Sequence, residues 1–274
     1  MTQYFKSPMI SIILTTYNWK EALSCCLESL FNQDDLNFEI IIADDGSRSD
    51  TADLINGFSK RSPIPLKHVY HEDKGFRAAA IRNKAVLQSE GDYLIFLDGD
   101  CVVLSHFISR HRFLAQENCF VPGNRILLNQ KFTQTVLNEH LPLYQQSCFT
   151  FLKWRLQNKI NRLTPLIYLP FNNFRLYRSK HWGNAMTCNL AMWKIDFFAV
   201  NGFDELFQGW GYEDSDLVIR LIHLGVKRKE GRFALPVLHL WHKQNDRTNQ
   251  ESNYQLLIER LNTPNLIRAK TGLC

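Results

Sequence analysis

The chain has 274 residues, with 32 Lys+Arg against 27 Asp+Glu and a formal net charge of +5. Apolar residues make up 45% and charged residues 22%, the balance of an ordinary globular protein, which excludes a disordered, collagenous or coiled-coil chain. That length suits one large domain or two small ones, and +5 accommodates a polyanionic ligand or an anionic membrane surface without demanding either.

No apolar run approaches the ~20 residues of a membrane span. Met1–Pro8 carries one lysine and no apolar stretch, so it does not read as a signal peptide. The seven cysteines are odd in number and none forms a CxxC pair. Reduced thiols in a cytoplasmic protein are expected, not a disulfide framework or a structural zinc site.

In chain order, MISIILTT at 9–16 predicts a strand buried on both faces, as in a parallel sheet. Trp19–Phe31 has helical spacing at Leu23, Cys26, Leu27 and Leu30. FEIIIA at 38–43 predicts a second strand, and Ser49 or Asp50 is the expected cap of a helix through Phe58. Leu66–Tyr70 is a weaker strand, Gly75–Ser89 contains an Ala-rich helix, and DYLIFL at 92–97 is a third strong strand.

Such alternation predicts a parallel sheet flanked by helices, and ligands in these sheets bind beyond the carboxyl ends of the strands. The polar clusters at 15–18, 44–47 and 98–100 all fall there. Beyond about residue 104 the pattern weakens. Ser105–Glu117 reads as helix, and 131–182 is aromatic and basic without a strand period. Phe233–Leu240 is a last strand, and a helix starts near Asn249. Without repeats or a Pro/Gly linker, one domain with two lobes is the simplest organisation.

Asp98-Gly99-Asp100 can share a divalent cation with a diphosphate, because Mg²⁺ and Mn²⁺ favour oxygen ligands. Asp44-Asp45-Gly46-Ser47 is ordinary turn chemistry taken alone; beside a second acidic strand end it reads as a site. Gly75–Asn83 joins a helix start to Arg77 and Arg82, which suits phosphate. Trp210-Gly211-Tyr212-Glu213-Asp214 pairs adjacent acids that cannot both ionise easily when buried, so one acquires a raised pKa and can act as a base.

His239 and His242 are the available imidazoles for a metal. Strand alternation sends them to opposite sides, so one ligand of the two is expected. Phe149–Leu163 is basic and aromatic. It reads equally as a helix lying on anionic lipid and as a core-facing helix with solvated cations.

TTYN at 15–18, ADDGS at 43–47, GFRAAAIRNKA at 75–85 and DGD at 98–100 resemble the nucleotide-sugar half of family 2 glycosyltransferases. The stretch opening at Gly183 and running to Leu217 is similar to the C-terminal module shared with β-1,4-galactosyltransferases and chondroitin-type polymerases. The resemblance implies an α/β GT-A fold, Rossmann-like and mostly parallel, with a nucleotide-sugar-binding lobe over 1–103 and an acceptor-binding, catalytic lobe over 104–274.

It also implies an inverting transferase that moves a hexose or N-acetylhexosamine from a UDP-sugar to a glycan or lipid-linked acceptor with Mn²⁺ or Mg²⁺. Surface polysaccharide or lipopolysaccharide synthesis is the expected setting. Thr15, Tyr17, Asp44, Asp45, Arg77, Arg82, Asp98, Gly183 and Trp210 match nucleotide-sugar positions. Asp100 with His239 or His242 matches the metal site. Asp214 matches the base, and Glu213 a partner for sugar hydroxyls. One departure is Tyr212, where related galactosyltransferases carry a second glycine.

Rival readings are a retaining GT-A transferase, a sugar nucleotidyltransferase and a non-catalytic sugar-binding module. A nucleotidyltransferase calls for a Gly-rich phosphate loop where TTYNWKE stands. Basic residues are scattered among acids, so nucleic acid is not an expected partner. The implied location is cytoplasmic, with room for peripheral contact at the inner face of the membrane.

Overall fold

The structure is a computed structural model that describes residues 8–243 and 246–273. Its first half alternates strictly: β1 (Ile10–Thr16), α1 (Lys20–Phe31), β2 (Phe38–Asp44), α2 (Ser49–Arg61), β3 (Leu66–Tyr70), α3 (Ala78–Leu87), β4 (Tyr93–Asp98). The short β5 (Cys101–Val103), α4 (Phe107–Leu114), β6 (Cys119–Pro122) and β7 (Asn124–Leu127) follow. Next come α5 (Gln130–Glu139), α6 (Cys148–Leu156) and β8 (Asn189–Trp193). The chain ends with α7 (Lys194–Ala199), α8 (Glu213–Leu224), β9 (Lys227–Arg228), β10 (Pro236–His239) and α9 (Gln250–Asn262).

The main sheet has the order β3-β2-β1-β4-β8-β6-β9. β1 pairs in parallel with β2 and β4, while β8 is antiparallel to β4 and β6. Its apolar runs are continuous because both faces are covered. Ile10, Ile12 and Leu14 pack with α1 and α2 through Leu23, Leu27, Ile55 and Phe58. The alternate residues Ile13, Ile41, Leu94 and Phe96 pack with α3 and α8 through Ile81, Val86, Leu217 and Leu221. Two-sided burial removes the polar residues that alternation would otherwise place on a strand.

The register aligns Thr16 with Asp44 and Thr15 with Asp98, so three strand ends finish side by side. β1 lies where the strand order reverses, the place where such sheets open a crevice. A second sheet, β5-β10-β7, stands beyond it and sets His239 opposite Cys101.

Three local expectations differ from the structure. Arg48, not Ser49 or Asp50, occupies the N-cap of α2, without a side-chain cap bond; Asp50 is engaged by Lys20 at 2.9 Å. The helix expected over 149–163 stops at Leu156, and Asn158 takes a left-handed φ of 55°. α6 turns Phe151 and Trp154 inward onto a third apolar cluster. The third difference concerns the two histidines, described below.

Candidate active site

β1 delivers Thr15 and Thr16 to the crevice, and β4 delivers Asp98. The turn after β4 is tight: the Gly99 N–H donates to the Thr15 carbonyl at 2.7 Å. A Cβ at Gly99 would stand 3.0 Å from that carbonyl oxygen, so the close approach favours glycine.

Arg82, on α3, is 4% exposed and ties three parts of the chain together. Its guanidinium donates to Thr15 Oγ1 at 3.0 Å, Asp98 Oδ1 at 3.2 Å and Glu213 Oε1 at 3.3 Å. Burial alone would lower its pKa, but Asp98, Glu213 and Asp214 outweigh burial and raise it. It is therefore a fixed cation bracing an acidic cleft.

The end of β2 is held by histidines. Asp44 accepts from the Ser47 N–H at 2.8 Å and from His68 Nε2 at 3.0 Å. Burial pushes Asp44 up, yet these bonds outweigh it and keep its carboxyl below the usual range. Asp45 accepts from the Arg77 N–H at 2.9 Å and from His71 Nε2 at 2.6 Å. There burial wins, and the Asp45 pKa is raised. Arg77 Nε is buried without a hydrogen-bond partner among the described residues. Tyr17, half exposed, donates its hydroxyl to Asp73 at 3.0 Å.

His71 and His68 escaped the sequence reading. They lie within or just past β3, the strand read as weak, and the strand-end rule that singled out Asp45 and Asp98 would have found His71 as well.

β10 ends at His239, so alternation does not extend to His242. His239 Nε2 is 3.7 Å and His242 Nε2 is 3.4 Å from Asp100 Oδ2. The two rings are 5.3 Å apart between centroids. Both imidazoles thus face the same carboxylate, contrary to the expected opposition. His242 Nδ1–H donates to the Lys243 carbonyl at 2.7 Å, which leaves the Nε2 lone pair toward Asp100.

Among the described residues, Asp100, Cys101 and His239 also bring one donor atom each within 4.8 Å of one another. The Cys101 thiol is pushed well above its ordinary pKa by burial and stays protonated, so the better donor set is carboxylate plus imidazole. Cis ligands on an ion with bonds of about 2.1 Å stand about 3 Å apart, and the Asp100–His242 spacing lies near that value. This donor set suits Mn²⁺.

The acidic pair opens α8. Three residues with positive φ are packed into its approach: Gly209 (72°), Gly211 (115°) and Tyr212 (72°). Tyr212 is the N-cap of α8, and its ring contacts Tyr254 on α9 at 5.5 Å. Glu213 is buried against Arg82. Asp214 accepts the Ser215 N–H at 2.7 Å. Burial first, and then the neighbouring Glu213, push its pKa up to about 7, against the lowering influence of Arg82 and of backbone bonds from Ser215 and Thr187.

Trp210 has the Arg247 guanidinium stacked 4.6 Å from its ring centroid, which covers part of the indole. Gly183 is engaged elsewhere: its carbonyl accepts from Arg228 at 2.7 Å, and Arg228 pairs with Glu230. Arg82, Asp98, Glu213 and Asp214 thus form one cluster. Asp44, Asp45 and Arg77 flank it on one side of the sheet order, and Asp100 with the histidines flanks it on the other.

Comparison with known proteins gives this arrangement its relatives. The family described as glycosyl transferase family 2 matches residues 11–183. The family described as the N-terminal domain of galactosyltransferase matches 171–243. A validoxylamine A glucosyltransferase of Streptomyces hygroscopicus subsp. jinggangensis is 28% identical over 229 residues, which covers 80% of this chain and 52% of that protein. The chain therefore spans about half the length of that relative.

Among solved structures, S. aureus TarS 1–349 in complex with UDP has a TM-score of 0.62 at 13% identity, covering 97% of this chain and 67% of TarS. A mannosyltransferase of Pyrobaculum calidifontis in complex with GDP-Man and Mn²⁺ has a TM-score of 0.61 at 14% identity, covering 93% and 63%. At these identities the likeness establishes the fold, which is GT-A.

Proposed function

We propose a transfer reaction for this chain from one premise: it belongs to glycosyltransferase family 2. The reaction moves a hexose or N-acetylhexosamine from a UDP-sugar to a hydroxyl of a glycan or lipid-linked saccharide, with inversion at the anomeric carbon. The lobe over 1–103 takes the nucleotide, and the lobe over 104–274 supplies the acceptor site and the base. UDP in one structural neighbour and Mn²⁺ in another support the donor class and the ion.

The observation that carries the proposal is Asp214, a carboxyl whose pKa is raised to about 7 within the cluster braced by Arg82. A base poised near neutrality accepts a proton best there. Asp214 takes the acceptor O–H proton, the freed oxygen attacks the anomeric carbon, and the bond from that carbon to the diphosphate breaks on the opposite face. Glu213, held by Arg82, orients sugar hydroxyls. Trp210 offers the area that Arg247 leaves uncovered to a sugar face.

Asp45 accepts from the uracil while His71 fixes its carboxylate, with Asp44 locked behind it by His68. Thr15, Tyr17 and Arg77 line the nucleotide, and Asp98 meets the ribose. Asp100, with His239 and His242, would hold Mn²⁺ or Mg²⁺. Such an ion, when bound, supplies Lewis-acid neutralisation of the diphosphate. The test is a screen for UDP-sugar hydrolysis with Mn²⁺, followed by NMR of the anomeric product. Hydrolysis of one or more UDP-sugars with an inverted product is expected. No turnover or binding of any nucleotide sugar, or a retained anomer, would overturn the reading.

A further inference from the structure

From residue 140 to residue 195 the chain contains no Asp or Glu and eight Lys or Arg. In a protein with 27 acids, such a stretch is a local cationic block, invisible in the net charge. Within it, α6 shows two apolar faces. Phe151 and Trp154 are buried in the core beneath. Phe149, Leu152 and Leu156 recur at spacings of three and four, which places them on one opposite stripe. That stripe meets solvent: Phe149 is 84% and Leu156 76% exposed.

Lys153 and Arg155 flank the stripe, and Arg162 follows within two turns' length of chain. All three are exposed. Among the described residues none has a carboxylate within ion-pair distance: there Arg155 meets Asn158, at 3.3 Å, and Arg162 the Arg125 carbonyl. Further along the same acid-free stretch, Phe171 and Tyr177 are also more than half exposed. Large apolar side chains standing in water beside unpaired cations are the composition of an interfacial surface.

We infer that the outer face of α6 docks on an anionic lipid surface, with Phe149, Leu152 and Leu156 entering the acyl boundary and Lys153, Arg155 and Arg162 meeting lipid headgroups. The charge pattern selects this occupant. A second copy of the chain seated symmetrically on this face would bring the same cations against each other. A soluble anionic glycan would satisfy the cations and leave Phe149 and Leu156 in water. Among the described residues no helix is long and apolar enough to cross a membrane, so the contact lies on the surface. The inference is independent of the proposed reaction, since no α6 residue belongs to the catalytic cluster.

The test is co-sedimentation with vesicles of phosphatidylcholine alone and of phosphatidylcholine with phosphatidylglycerol, at low and high salt. Wild type should partition onto the anionic vesicles and lose most of that binding in high salt. Each basic residue near such a surface contributes about fivefold to partition, so Lys153→Glu/Arg155→Glu should lower it by at least about 25-fold. Phe149→Ser/Leu156→Ser should keep weak, salt-labile binding only. Both pairs are exposed, and an unchanged melting temperature verifies their fold.

Equal binding to neutral and anionic vesicles would overturn the inference. So would wild-type partition by both double variants. A dimer seen by light scattering that Phe149→Ser/Leu156→Ser dissociates, without any vesicle binding, would assign the face to a second copy instead. Binding of a soluble anionic oligosaccharide with no vesicle binding would assign it to glycan.

Discussion

Replacing Asp214 by asparagine separates two consequences of its environment. The carboxyl pKa rises from 3.8 to about 7, first through burial and then through Glu213. Between about pH 4 and pH 7 the unfolded chain releases this proton while the folded chain retains it. Native stability therefore falls as pH rises across that window and is level above it. The displacement sets a ceiling of ~4 kcal/mol. Asp214 keeps partial contact with solvent, and screening reduces the expected cost to about 2 kcal/mol.

Asparagine mimics the protonated carboxyl and still accepts the Ser215 and Thr187 N–H groups. Wild type and variant should melt alike near pH 4. By pH 8 the variant should melt about 4–6 °C higher. Its transfer rate should fall by about 10² to 10⁴, the usual contribution of a general base. Thermal melts from pH 4 to 8 and rates with a UDP-sugar read both effects. A melting gap that does not widen with pH would refute the burial argument, and turnover within tenfold of wild type would refute the role as base.

Removing divalent metal with a chelator should abolish donor hydrolysis, and Mn²⁺ should restore it. Asp100→Ala should eliminate Mn²⁺ binding in calorimetric titration, whereas His242→Ala and His239→Ala should each weaken it; unchanged binding in Asp100→Ala would place the ion elsewhere. Arg82→Gln removes the cation that lowers the Asp214 pKa, so the rising limb of the kcat/KM–pH profile should move above pH 7, and an acid shift would contradict the bracing role. In Tyr212→Gly, relief of a left-handed residue returns about 1–2 kcal/mol, while loss of the Tyr254 contact costs about 0.5–1.5 kcal/mol. The melting temperature should accordingly move by no more than about 3 °C while the acceptor KM rises, and a large loss of stability would show that the ring is mainly structural.

The strands were legible because both sheet faces are covered. β1, β2 and β4 become unbroken β-branched and aromatic runs, and their polar ends stand out against them. The DGD turn and the WGYED approach to α8 were legible for the same reason: glycine and acid interrupt an apolar pattern where the backbone must bend. The histidine pair was misread because alternation assumes a strand, and β10 stops at His239. His71 stayed hidden because β3 lies at the sheet edge with one buried residue, Val69, so its end was not marked by a strong run.

What sequence spacing could not supply was the closure of the site. Arg82 meets Asp98 across 16 positions and Glu213 across 131. At the same end of α8, Asp216 is clamped by Arg220 at 2.8 Å and by Arg260 at 2.6 Å, 44 residues away. Arg260 also holds Asp204 at 2.9 Å. These arginines, counted as surface charge in any composition, are almost fully buried. Removing one partner from such a network leaves a buried charge uncompensated, at a cost of about 3–5 kcal/mol.

The consequence is positional. Asp214 lies between two ionic anchors: Glu213, one residue before it, held by Arg82, and Asp216, two residues after it, held by Arg260. The first anchor ties α8 to the strand ends, and the second ties it to the C-terminal helix. A displacement of Asp214 relative to Asp98 would break charge-assisted bonds at one end or the other. The raised pKa and the placement of the base therefore share an origin: carboxylates crowd at one helix start, and arginines contributed by distant parts of the chain hold them there.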